Sequence, residues 1–171
     1  MNAGRLPAGA GLLARSALAA LVIAAVSACG VQVPTDPGRT LDRVRSERVL
    51  RVGATHAPPR VVVTDPDGTP SGPEAELAQR YAEHLDARVE WTTDSEAALV
   101  EDLSDGEVDL VVAGLDATSP WAADVGLTRP YAESTDPGGQ TRQHVLAVPA
   151  GENALLSDLE RWLDSSAGGA S

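Results

Sequence analysis

The chain has 171 residues, 13 basic and 25 acidic, for a formal charge of −12. That length holds one domain with a sizeable core and not two ordinary ones, and so acidic a composition argues against nucleic acid and against charge-driven binding to anionic lipid. Every basic residue is arginine, and the single cysteine, Cys29, leaves no internal disulfide and no cysteine-built zinc site.

Residues 1–28 read as a targeting segment. Arg5 supplies a positive start, Arg15 sits close to the apolar part, and Ala17 to Val26 is an apolar run too short to span a bilayer alone. The run ends Val26–Ser27–Ala28–Cys29, small residues leading into the cysteine. This resembles the lipobox of bacterial lipoproteins, in which the signal is cut before the cysteine and the cysteine is lipidated. The expectation is a protein lipid-anchored through Cys29 on the extracytoplasmic face of the cell membrane. Without residues 1–28 the charge is more negative still, 11 Arg against 25 acids. Residues 29–39, with Pro34 and Pro37, read as a tether.

Thr40 is the expected N-cap of a short helix over Leu41–Glu47. Val49 to Ala54 reads as a β-branched strand, His56–Ala57–Pro58–Pro59–Arg60 as a stiff loop, and Val61–Val63 as a second short strand. Turn chemistry fills Asp65–Gly68. From Pro73 to Leu85, Leu77, Ala78, Tyr81, Ala82 and Leu85 recur at helical spacing, with Pro73, Glu74 and Glu76 suited to the first turn. A strand follows over Arg88–Thr92. Ser95 then caps a helix that Gly106 stops.

Val108 to Val112 reads as a buried strand ending in Ala113–Gly114, where another backbone or a ligand can approach closely. Asp116 to Trp121 is a polar loop carrying a turn, two hydroxyls and a large aromatic. Arg129 leads into Pro130–Tyr131, and Ser134–Gln140 reads as a Gly-rich connection. A strand over His144–Val148 and a helix over about Asn153–Leu163 close the domain, placed at residues 40–163. Composition makes residues 164–171 a disordered tail. Strands alternating with helices predict an α/β sandwich with a mainly parallel sheet. Open sheets of that kind present sites at the carboxyl ends of their strands.

The common catalytic signatures are missing. No G-x-S-x-G elbow occurs, no glycine motif cradles phosphate, and there is no lysine to complete one. His56, His84 and His144 lie far apart and not at a metal-motif spacing; only His56 is placed near a site. Asp105, Glu107 and Asp109 read as a turn and an alternating strand, not as a metal centre. The expectation is neither an enzyme nor a cofactor- or metal-binding protein.

Several segments together resemble the extracellular solute-binding protein family that serves amino-acid ABC transporters, family 3. They are Ser46–Gly53 (SERVLRVG), the turn Ala57–Pro58–Pro59, and Asp65–Gly68 running through Gly72, Glu74, Glu76, Leu77 and Ala78. Leu103, Gly106, Val108, Asp109 and Gly114 match a further pattern, as do Thr128–Tyr131 (TRPY) and the returning His144–Pro149 (HVLAVP). The resemblance covers about residues 40–163 and implies a three-layer sandwich like one lobe of a periplasmic-binding-protein type II fold. In the family a second lobe is inserted after the Pro-Tyr pair; here only Ala132–Arg142 lies between, so the chain looks like the first lobe alone.

Two further departures concern the ligand. The resemblance implies an arginine to clamp a ligand carboxylate at the position of Trp121, and an aromatic at the position of Arg60. The expected ligand-binding residues are His56, Arg60, Gly114, Asp116, Thr118 and Trp121, with a small-molecule solute as ligand and a membrane permease as partner. The alternative is an envelope protein-interaction module that uses the face where the second lobe is missing, with Arg129 and Tyr131 as interface candidates.

Overall fold

The computed structural model describes residues 36–65 and 68–168; the targeting segment, Cys29 and most of the tether lie outside them. Helix α1 spans Thr40–Glu47. Thr40 is its first residue and not its cap, because the exposed N–H groups of this helix start are taken from elsewhere. Both oxygens of the buried Glu152 carboxylate accept, one from the Gly38 N–H at 2.6 Å and the other from the Thr40 N–H at 2.7 Å. Beside them the Asp36 N–H donates to the Gly151 carbonyl and the Ala154 N–H to the Asp36 carboxylate.

Strand β1, Val49–Ala54, lies inside the sheet. It pairs in parallel with β2 (Arg88–Thr93) from Val49↔Arg88 to Ala54↔Thr93. On its other side it pairs in parallel with β3 (Leu110–Val112), from Val52↔Leu110. Two more strands, β4 (Val125–Leu127) and β7 (Ala147–Pro149), complete the order β2-β1-β3-β7-β4. Only β7 runs against the other four, so the sheet is mainly parallel. Between β4 and β7, β5 (Ala132–Thr135) and β6 (Thr141–His144) form a separate antiparallel hairpin.

Helices cover both faces of the sheet, which is why the short central strands are apolar on both sides. On one face α1, α2 (Pro73–His84) and α4 (Asn153–Gly168) pack Val44, Tyr81, Leu155 and Leu159 over Leu50, Val52 and Leu110. On the other, α3 (Glu96–Asp105) lays Leu99, Val100 and Leu103 over Val111, Ala147 and Val125. Ser95 caps α3 as expected, its side chain accepting from the Ala98 N–H, and Gly106 ends it at φ +71°. The architecture is the expected three-layer α/β sandwich.

Three local expectations fail. Val61–Val63 form no sheet strand: β1 already has a partner on each side, so this segment folds back on its own loop through bridges Ala57↔Val61 and Val62↔Ser71. The strand expected at His144–Val148 is broken. Its first residue ends β6, and Val145 and Leu146 turn inward, the Leu146 N–H donating to the Thr128 hydroxyl at 3.0 Å, before β7 begins. The connection after Tyr131 is a hairpin whose turn is closed by Asp136, which accepts from Gln140. In addition, α4 continues through Gly168, so the expected disordered tail is helical to that point.

Candidate functional site

The carboxyl end of β3 runs into Ala113–Gly114. Gly114 has φ +65°, and a Cβ there would stand 3.0 Å from the Ala57 side chain, so the position needs glycine both for its backbone and for the approach of the β1 loop. Its N–H donates at 2.9 Å to Glu74, the second residue of α2, whose side chain is fully buried. The other Glu74 oxygen accepts from the Tyr131 hydroxyl at 2.7 Å. One carboxylate thus ties the end of β3 to the start of the hairpin. Burial and the neighbouring Glu74 push the Tyr131 hydroxyl pKa well up, and Arg60 stands close enough to oppose that shift.

Beyond Gly114 the chain makes a tight turn. The Asp116 carboxylate accepts from the Thr118 N–H at 2.8 Å and from the Thr118 hydroxyl at 2.5 Å. These bonds, more than the Arg142 charge, hold Asp116 below the usual carboxylate range. The loop is zipped to the hairpin: the Ala117 N–H donates to the Gln143 carbonyl at 2.8 Å, and the Val145 N–H to the Leu115 carbonyl at 3.1 Å. That register puts Arg142, on β6, over the loop, where it ion-pairs with Asp116 at 3.2 Å. Behind the pair, His144 is buried, its Nε2 2.7 Å from the Ser134 hydroxyl. Burial, with Arg60 nearby, lowers its pKa.

Gly114, Asp116, Thr118 and Arg142 line one open groove of about 250 Å³, together with Glu96 and Ser119. Enclosed pockets for small ligands typically run to roughly 300–1,000 Å³; this groove is a single wall, which covers one side of a ligand. A second depression shares Asp116, Thr118 and Arg142 with this groove and is lined besides by Gln140, Thr141 and Gln143.

Of the six ligand residues expected from sequence, three (Gly114, Asp116 and Thr118) meet in this groove. Arg60 lies half-buried behind Gly114, close to Tyr131. Trp121 is the second residue of the short helical turn Pro120–Ala123, but its ring packs toward the α3 side of the core, and its indole N–H donates to Glu96 at 2.5 Å. His56 is elsewhere: its Nδ1 accepts from the Val63 N–H at 3.1 Å, and it lines a depression with Thr93 and Asp94. The interface candidates are engaged within the fold. Arg129 pairs with Glu160 and Asp164 of α4, and Tyr131 with Glu74.

Sequence reasoning missed Glu74, Arg142 and His144 as site neighbours. Glu74 stands in a helix-opening pattern, where an acid suits the helix dipole, and Arg142 lies in a segment with no apolar face to mark it as a strand. Among the described residues no group of His, Cys, Asp and Glu is arranged to hold a metal ion, and no helix is long and apolar enough to cross a membrane.

Comparison with known proteins follows the same outline. Membrane-bound lytic murein transglycosylase F of Vibrio cholerae is 36% identical over 87 residues, half of this chain and 16% of the relative; the chain therefore spans a small fraction of that relative's length. This overturns the expectation of no enzyme: the relative is an enzyme by name, although the match takes in only 16% of it. Among solved structures, the arginine-bound form of domain 1 from TmArgBP is 25% identical, with a TM-score of 0.63 over 72% of this chain and 98% of that one. The ancestral cationic amino acid solute-binding protein AncCDT-1 shares the fold at 15% identity and a TM-score of 0.66, over 76% of this chain and 94% of that one. The likeness to an isolated domain 1 agrees with a single lobe. The profile of the bacterial extracellular solute-binding proteins, family 3, matches residues 50–167, and the chain belongs to that family.

Proposed function

We propose that this domain binds a small polar solute of the amino-acid class in the groove at the carboxyl end of β3, as the substrate-binding component of an ABC-type transporter held at the membrane by Cys29. The observation that carries the reading is the groove itself. A glycine-ended strand delivers a rigid polar loop to the expected edge of a parallel sheet, and Arg142 and Asp116 offer opposite charges on one surface. The arginine-bound state of the similar TmArgBP domain supports the solute class.

Isothermal titration of the full chain in detergent micelles with the twenty amino acids tests it. Saturable binding of at least one, competed by its close analogues, is expected; no heat and no thermal shift with any would overturn the reading. The anchor is tested separately. Cys29→Ser should move the protein from the membrane fraction to the soluble fraction and remove the lipid mass increment; an unchanged distribution would end the lipoprotein assignment.

A second reading, an envelope role outside transport, draws support from the Vibrio cholerae murein transglycosylase. In that case murein peptides should bind more tightly than free amino acids in the same titration. The face offered for a protein partner is weaker support, because Arg129 and Tyr131 are held by α4 and Glu74.

A further inference from the structure

We infer that Arg142 and Asp116 act together as an exchangeable anchor: a bound zwitterion inserts between them, its carboxylate on the Arg142 guanidinium and its ammonium on the Asp116 carboxylate. The inference rests on the reading of the groove as a solute site and assigns the residues that determine specificity in it.

Three features support the exchange. First, the two backbones are fixed independently of the ion pair, by the Asp116↔His144 bridge and the Ala117 N–H to Gln143 carbonyl bond. Separating the side chains therefore leaves the frame in place. Second, the partners differ in exposure. Asp116 is only 19% exposed and stays oriented by two bonds from Thr118, whereas the Arg142 side chain is 52% exposed. Among the described residues Asp116 is the only partner of Arg142, which leaves most of the five-donor guanidinium fork free for a planar carboxylate. Half-exposed pairs of this kind contribute little by themselves and so cost little to open.

Third, the groove supplies a second carboxylate. Glu96 lines the same wall and is positioned by the Trp121 indole N–H. A cation from β6 thus stands over the loop where Trp121 does not reach. The charges come from β6, from the loop after β3 and from α3, so this lobe carries complementary charges for both ends of a zwitterion.

The test titrates the full chain with each amino acid, then with the decarboxylated amine and the deaminated acid of whichever binds best. Arg142→Gln should weaken the amino acid and the acid by about tenfold or more while sparing the amine, as expected for loss of a charge-assisted contact. Asp116→Asn should weaken the amino acid and the amine and spare the acid, and Arg142→Lys should restore part of the loss. Thermal melting should show both variants folded, since both side chains lie at the groove surface. An amino-acid affinity unchanged by Arg142→Gln overturns the anchor and leaves solute binding standing. An equal loss for all three compounds marks a structural role and also overturns it. Failure of the unaltered chain to bind any amino acid overturns both.

Discussion

Strand β3 has an aspartate just outside each end, and each is paired with arginine; their surroundings give them opposite roles. Asp109, before the strand, is 1% exposed and meets two arginines: Arg51, which donates through its backbone N–H at 2.9 Å and its guanidinium at 2.8 Å, and Arg43 of α1. Asp116, after the strand, meets one half-exposed arginine at a groove. A carboxylate removed from water must be fully partnered, and Asp109 is, so it locks α1 and β1 to β3. A carboxylate that borders a groove with one half-exposed partner is where the exchange proposed above would take place. The same residue pair is thus buried structure at the amino end of the strand and, on the proposal above, a ligand anchor at the carboxyl end, with burial as the difference between them.

The largest effect should come from Asp109→Ala, which leaves two inward-turned guanidinium groups without their carboxylate. Denaturant unfolding should show a loss of about 3 kcal/mol, the low end for breaking a buried pair because both arginines keep some exposure. A loss no larger than that of an Asp116 variant would undo the contrast. Glu74→Ala should come next, at about 2–3 kcal/mol, since it strands the Gly114 N–H and the Tyr131 hydroxyl. Tyr131→Phe, which removes only one of those bonds, should recover much of that loss in the same measurement.

Asp116→Asn should cost the least, under about 1 kcal/mol at neutral pH. Its signature is the pH dependence. Asp116 is held below its unfolded value of about 3.9, so its contribution is complete above that value and is lost as the pH falls through the lower folded one. Acid unfolding followed by circular dichroism should therefore be less steep below about pH 4 in the variant. An identical acid limb would mean that the Thr118 bonds do not depend on the charge.

Much of this was legible in the sequence because packing follows periodicity. The bounds of β1, the apolar face of α2, and the Ser95 and Gly106 caps of α3 all came from local pattern. The loop Gly114–Thr118 was legible because a glycine ending a β-branched strand has few other uses. What was not legible depended on distant partners. Glu152 replaces a local cap for α1 from more than a hundred residues away, and nothing near Thr40 announces it. Arg142 becomes a groove residue only because β6 zips onto the site loop, a pairing with no apolar alternation to mark it. Trp121 fell in the right loop, but the indole is drawn to Glu96, a direction that spacing alone does not give.

The Glu152 contact has a mechanical consequence. Since β7 runs against its neighbours, its end at Pro149 lies at the end of the strands opposite the groove. There Asp36, Gly38 and Thr40 are clasped to Gly151, Glu152 and Ala154 by four hydrogen bonds. A pull applied at residue 36 meets this clasp first and is passed to the β7–α4 corner, bypassing the loop that carries Asp116. The domain can therefore be held by its leading segment, on a sensor surface or in a pulling experiment, with the groove open to solution and unstrained.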